Sequence, residues 1–153
     1  MKKLIAMAAA GVLAMALVGC GGSETNKSNA PEPAKQEQSK KDFDGSAFSD
    51  TGDGVFYIST PDGTSENGNV PKLIVEKDTA LMQIGCGTDG MEYAECAVYV
   101  DGMESDSLVV SDMMQSSINL QGDALKEGVH TVELVKMEGD APVIYKIAKY
   151  EVA

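Results

Sequence analysis

From residue 55 onward, apolar and polar positions alternate with a period near two, the spacing of side chains on a half-buried strand. Val55-Phe56-Tyr57-Ile58, bounded by Gly54 and by Pro61-Asp62-Gly63, predicts the first strand. A turn-rich stretch follows, punctuated by Asn67-Gly68 and Pro71. Leu73-Ile74-Val75 and residues 79–86 predict two more strands. Cys96-Ala97-Val98-Tyr99-Val100 predicts another, ending on Asp101-Gly102, a pair suited to a tight hairpin turn. Residues 107–110 and 116–120 continue the series. Residues 123–127 read as one helical turn, capped by Asp123 and stopped by Gly128. Two long strands, 129–137 and 143–152, joined through Glu138-Gly139-Asp140, complete the chain.

Parity within the strands indicates which faces are buried. Met82, Ile84 and Cys86 share one face, as do Cys96, Val98 and Val100, and His130, Val132 and Leu134. The last strand has two apolar parities: Val143, Tyr145 and Ile147 on one, Ala148, Tyr150 and Val152 on the other. A bulge near Ile147 would reconcile them. Seven to eight short strands with almost no helix predict an all-β fold, an antiparallel β-sandwich over residues 42–153. A domain of that length buries a single core without metals or many disulfides.

The first 41 residues follow other rules. Lys2 and Lys3 precede an apolar run, Leu4 to Leu17, of 14 residues. That is shorter than the ~20 residues a membrane-spanning helix needs. The run closes on Leu17-Val18-Gly19-Cys20, the layout of an export signal with its processing site at 1–19. Residues 20–41 contain no apolar side chain larger than Ala and Pro after Cys20, so they are expected to form a disordered linker. A loose coil of that length spans about 25 Å on average.

Leu17-Val18-Gly19-Cys20 closely resembles the lipobox of bacterial lipoproteins. The resemblance implies cleavage before Cys20 and a diacylglycerol thioether on its sulfur, with fatty-acyl chains of the palmitate kind. Cys20 would then anchor the protein to the outer side of the bacterial cell membrane. Two acyl chains hold firmly where one holds only marginally.

Charge excludes some partners. The chain has 12 basic residues, all Lys, against 24 acids. Residues 42–153 alone carry 6 lysines and 21 acids, a formal charge of −15. Such a field repels nucleic acid and bare anionic lipid. Without Arg there is no guanidinium fork for bidentate capture of carboxylate or phosphate.

A second resemblance runs over roughly residues 98–135. Val98-Tyr99-Val100-Asp101-Gly102, Ile118-Asn119-Leu120 and Leu125-Lys126-Glu127-Gly128-Val129-His130-Thr131-Val132-Glu133-Leu134 resemble bacterial Ig-like sandwich domains. The Trp and the penultimate-strand Cys of antibody domains are missing. The whole chain is also similar to small lipoproteins of anaerobic gut bacteria, a likeness that implies no activity.

Candidate chemistry is sparse. His130, the only histidine, starts a strand on its apolar parity, which suits a corner residue that packs inward and hydrogen-bonds backbone better than a catalytic base. Cys86 and Cys96 end one strand and start the next. An oxidising compartment would favour a disulfide between them, and a reducing one two buried thiols. Neither has zinc-ligand spacing. Asp42, Asp44, Ser46, Asp50 and Asp53 fail the EF-hand order, with Ala47 at the Gly position and Asp53 at the Glu position. The acids at 101, 104, 106 and 112 also follow no ligand order, so no metal and no cofactor are expected. Met82, Met91, Met103, Met113, Met114 and Met137 suit core filling, with Met113-Met114 as an alternative sticky loop.

The sequence therefore points to a surface lipoprotein, not an enzyme, whose sandwich is a binding or scaffolding module. Its contact surface for a protein or polysaccharide is expected at loops 60–71 and 101–115. The alternative is an extracytoplasmic hydrolase, or an accessory subunit of one, acting on wall or carbohydrate polymers through two of the 21 acids.

Overall fold

The computed structural model describes residues 42–153. The expected signal peptide, Cys20 and the linker lie outside the described residues. The described chain is all-β, with nine strands in two sheets and short 3-10 turns but no α-helix.

The strands are β1 (Val55–Thr60), β2 (Gly63–Thr64), β3 (Lys72–Leu73), β4 (Leu81–Asp89), β5 (Ala94–Val100), β6 (Met103–Val110), β7 (Gln115–Gln121), β8 (Gly128–Glu138) and β9 (Ala141–Val152). One sheet runs β2-β1-β4-β7 and the other β3-β9-β8-β5-β6. Pairing is antiparallel except between β3 and β9, which run parallel. The expected helical turn is a 3-10 turn, Gly122–Leu125, whose N-cap position is Gln121, not Asp123. Four residues are too few for an α-turn with both ends satisfied, so the tighter i→i+3 bond forms instead.

The two inner faces make one core. Ile58, Val98, Val110, Ile118, Leu120, Val132, Leu134 and Tyr150 are fully enclosed. Where β6 and β7 meet as edges of different sheets, side chains close the gap. Ser105 Oγ donates to the Asn119 carbonyl at 2.6 Å, and Asp106 Oδ2 accepts from Asn119 Nδ2 at 3.1 Å. Those contacts cover the polar edge groups that invite pairing with other chains.

The double parity of β9 has a different cause from a bulge at Ile147. The β8–β9 register runs unbroken through Glu133↔Ile147, and its one irregularity lies between Lys136 and Met137. Both parities are buried because the five-stranded sheet is covered on both faces. Ala148, Tyr150 and Val152 enter the main core. Tyr145 enters a second cluster with Tyr99 and Val135, against which Phe43 and Phe48 pack. Residues 42–51 thus form a strap across the outer face.

Ring geometry ties the strap down. Phe43 stacks on Tyr99 with centroids 4.7 Å apart, and Phe48 meets the Tyr145 ring at 5.8 Å, edge-on. Offset and edge contacts of this kind add roughly 0.5–1.5 kcal/mol each to the area they bury. The strap begins where Asp42 bridges Met103 and the Phe43 N–H donates to the Gly102 carbonyl at 2.7 Å. It ends as a one-residue extension of the sheet. Thr51 and Tyr145 exchange both backbone hydrogen bonds, at 2.9 and 3.1 Å. Thr51 and β3 together occupy stretches of the outer edge of β9.

Candidate functional site

The expected site residues fall into separate places. His130 opens the inner face of β8, next to the Asp101-Gly102 turn that joins β5 to β6. Its Nδ1 lies 2.6 Å from Asp101 Oδ2, its Nε2 lies 2.8 Å from the Lys126 carbonyl, and its ring stacks on Tyr150 at 5.1 Å. Asp101 Oδ1 accepts the Thr131 N–H at 2.9 Å, and the Asp101 N–H donates to the Thr131 carbonyl. Asp101 adopts φ 49°, a conformation that short polar side chains tolerate by bonding locally. Every polar atom of the imidazole is committed and the ring is buried, so this is a corner clamp, as its position in the sequence predicts. Among the described residues no serine or cysteine hydrogen-bonds the ring.

Cys86 and Cys96 are free, buried thiols, and the disulfide left open by the sequence is not formed. The connection between them passes from one sheet to the other. Cys86 has Ile58 and Ser116 as its register partners, whereas Cys96 has Leu108. Neighbours in sequence are therefore not cross-strand neighbours. Burial pushes each thiol up to about 11, reinforced at Cys86 by the Asp106 carboxylate and opposed at Cys96 by the Lys136 ammonium. A thiol held in this way is protonated at neutral pH and a poor nucleophile.

Two buried polar links, invisible in the sequence, fasten the strap. The Tyr145 hydroxyl lies 2.6 Å from Glu133 Oε1 and 3.1 Å from the Gly45 carbonyl. Burial, then the hydrogen bond to Glu133, raise the phenol far above its ordinary range. Lys146 is buried, and its ammonium donates to Asp50 Oδ1 and to the Gly52 carbonyl, both at 2.7 Å. Asp44 keeps a local role. Its Oδ1 accepts the Ser46 N–H at 3.0 Å, and hydrogen bonds from the Ser46 side chain and backbone hold its carboxyl below the usual range. Among the described residues no group of three or more His, Cys, Asp or Glu is arranged to hold a metal.

The two expected contact loops differ from their forecast. Residues 60–71 carry β2 and a 3-10 turn, Glu66–Gly68. Ser65 anchors them, its Oγ accepting the Ile58 N–H at 2.8 Å. Residues 101–115 are not one loop. They hold β6, whose inward Leu108 and Val110 are buried, between two turns at opposite ends of the sandwich. The 101–102 turn lies where the chain enters at Asp42. The 111–114 turn lies at the other end, where the Gly90 N–H donates to the Asp112 carbonyl and the Thr88 N–H to the Met114 carbonyl.

That second end holds the exposed apolar side chains Met113 (82% exposed) and Tyr93 (80%). Tyr93 sits between two open hollows. One, of about 670 Å³, runs along the outer face of β5 and β8 over Ala97, Val135 and Met137. The other, of about 300 Å³, is bounded by Asp53, Met91, Glu92 and Glu138. The sequence marked residue 113 but not residue 93, because a lone Tyr after a Gly turn carries no periodic signal. No protein family, curated protein or solved structure matches the chain.

Proposed function

We propose that this protein is an extracytoplasmic lipoprotein, held to the bacterial cell membrane by lipid on Cys20, whose Ig-like β-sandwich serves as a binding or scaffolding module. The observation that carries the reading is Leu17-Val18-Gly19-Cys20 at the end of a charged-then-apolar leader, followed by a polar linker. The domain supports it in two ways. The described residues begin at one end, beside the Asp101-Gly102 turn, and the exposed Tyr93 and Met113 lie at the other. Its −15 charge offers no attraction to anionic lipid, so attachment depends on the acyl chains.

The test is fractionation of cells producing the natural chain or Cys20→Ala, with a labelled fatty acid in the medium. The natural chain takes up label and sediments with membranes. Cys20→Ala takes up none and is released. Tight membrane association of Cys20→Ala would overturn the anchor.

A further inference from the structure

We infer that the paired hollows around Tyr93 form a docking site for a basic polypeptide segment, with an Arg or Lys side chain seated over the Tyr93 ring. The assignment names the partner of the binding module proposed above and does not depend on the lipid anchor. Tyr93 is the one exposed aromatic ring among the described residues. It lies on the short turn between β4 and β5 and lines both hollows, together with Ala94 and Lys136.

The chemistry of the walls selects the occupant. Ala97, Val135 and Met137 form an apolar stretch of the larger hollow's floor, beside Glu95 and Lys136. The rims carry four carboxylates, Glu95 on the larger hollow and Asp53, Glu92 and Glu138 on the smaller. A single ammonium, Lys136, stands among them, 3.9 Å from Glu138. An aromatic face attracts a cation within about 6 Å of its centre, and more strongly for a guanidinium that also stacks. The aliphatic stem of Arg or Lys suits the apolar floor while its head reaches the rim carboxylates. An acidic segment would be repelled, and a neutral glycan, though its hydroxyls can donate to carboxylates, gains nothing from their net charge. The domain's overall negative field speeds encounter with a cationic partner.

The experiment uses the full-length chain carrying Cys20→Ala in a non-ionic detergent at physiological salt, with amide resonances assigned. The probes are a twelve-residue peptide of alternating Arg and Gly, its Glu and Gly counterpart, and cellohexaose. The Arg peptide is expected to shift resonances in 90–97 and 135–138, and Tyr93→Ala to weaken its binding at least fivefold. Glu92→Gln is expected to weaken it as well, whereas Asp62→Asn, which removes the same charge far from the hollows, leaves the affinity unchanged. Three outcomes overturn the assignment: no shifts at those residues with the Arg peptide, equal weakening by Tyr93→Ala and Asp62→Asn, or shifts there with cellohexaose alone. Each leaves the lipid anchor of Cys20 untouched, so the two readings fail separately.

Discussion

The Tyr145 hydroxyl lies 2.6 Å from Glu133 Oε1, joining β9 to β8 beneath the strap. Both residues are on the outer face of the five-stranded sheet, the face that an isolated sandwich would leave to water. Glu133 is 7% exposed and Tyr145 1%. The strap thus makes a polar pair into part of an interior, and the Gly45 carbonyl completes it at 3.1 Å.

Removing one partner of that pair strands the other. Tyr145→Phe keeps the ring and its contacts with Phe43 and Phe48 but leaves Glu133 buried without its donor. An orphaned buried polar group costs about 1–3 kcal/mol, more when charged. Urea unfolding of Tyr145→Phe should show a loss in that range with an unchanged m-value. Glu133→Gln, which still accepts the hydroxyl's hydrogen bond, should lose less. A larger loss for Glu133→Gln would show that charge, not hydrogen bonding, holds the strap.

Gly45 has no room for a side chain. A Cβ there would collide with Glu133 Oε1 and with the Tyr145 hydroxyl, two atoms fixed on each other. Gly45→Ala should therefore lift the strap while the main core stays intact. Amide exchange should accelerate across 43–51 and not in β5 or β8. Uniform acceleration would place the strap in the same cooperative unit as the core.

Lys146 and Asp50 give an ordering of two variants. Lys146 is buried and Asp50 is mostly exposed, so deleting Asp50 leaves a buried ammonium with the Gly52 carbonyl as its hydrogen-bond partner. Replacing the lysine with an apolar side chain of similar length removes the charge itself. Asp50→Ala should thus destabilise more than Lys146→Met, which is expected to be within about 1 kcal/mol of the natural chain. The reverse order in thermal melts would refute this account.

Cys86 and Cys96 set an alkaline limit. Both thiols are raised from 9.0 to about 11, so the folded state holds their protons more tightly than the unfolded chain does. Their contribution is complete below pH 9 and is lost as pH rises from 9 through 11. The loss approaches roughly 2–3 kcal/mol per thiol at the top of that window. Cys86→Ala should flatten the fall of melting temperature between pH 8.5 and 10.5. In the Cys20→Ala chain, a thiol reagent at pH 7 should label neither cysteine until urea unfolds the domain. Rapid labelling of the native chain would show that the core opens readily.

His130 holds one corner of the domain. Its ring fills a corner against Tyr150 and joins Asp101 to the Lys126 carbonyl. His130→Ala removes both links and leaves a gap, for a loss of about 2–4 kcal/mol. Asp101→Asn retains an acceptor for the Thr131 N–H and tolerates φ 49°, so it should cost less than Asp101→Val, whose branched side chain does not. Equal losses would remove the conformational part of the argument.

Much of this was legible in the chain. Alternation of Cys96, Val98 and Val100, and of His130, Val132 and Leu134, located strands and core faces, because a half-buried strand imposes a period of two. The inward corner role of His130 followed from its parity. Other features were hidden for definite reasons. β2 and β3 have two residues each and carry no period. Tyr145 reads as a strand residue of ambiguous parity, since a strand covered on both faces has no polar side. Glu133 looks like a solvent-facing residue until Phe43 and Phe48, about 90 positions away, cover it.

The sequence by itself determined what local chemistry dictates: an all-β pattern within 42–153, its turns at Gly-containing pairs, its strong negative charge, and a short apolar run that closes on Leu17-Val18-Gly19-Cys20. Tertiary structure alone decided which sheet each strand joined, that Cys86 and Cys96 lie in different sheets, and that residues 42–51 cross the outer face. Those outcomes depend on contacts between residues far apart in the chain. Local patterning selects the element, but the packing partner is selected by which distant surfaces bury the most apolar area with their polar groups satisfied.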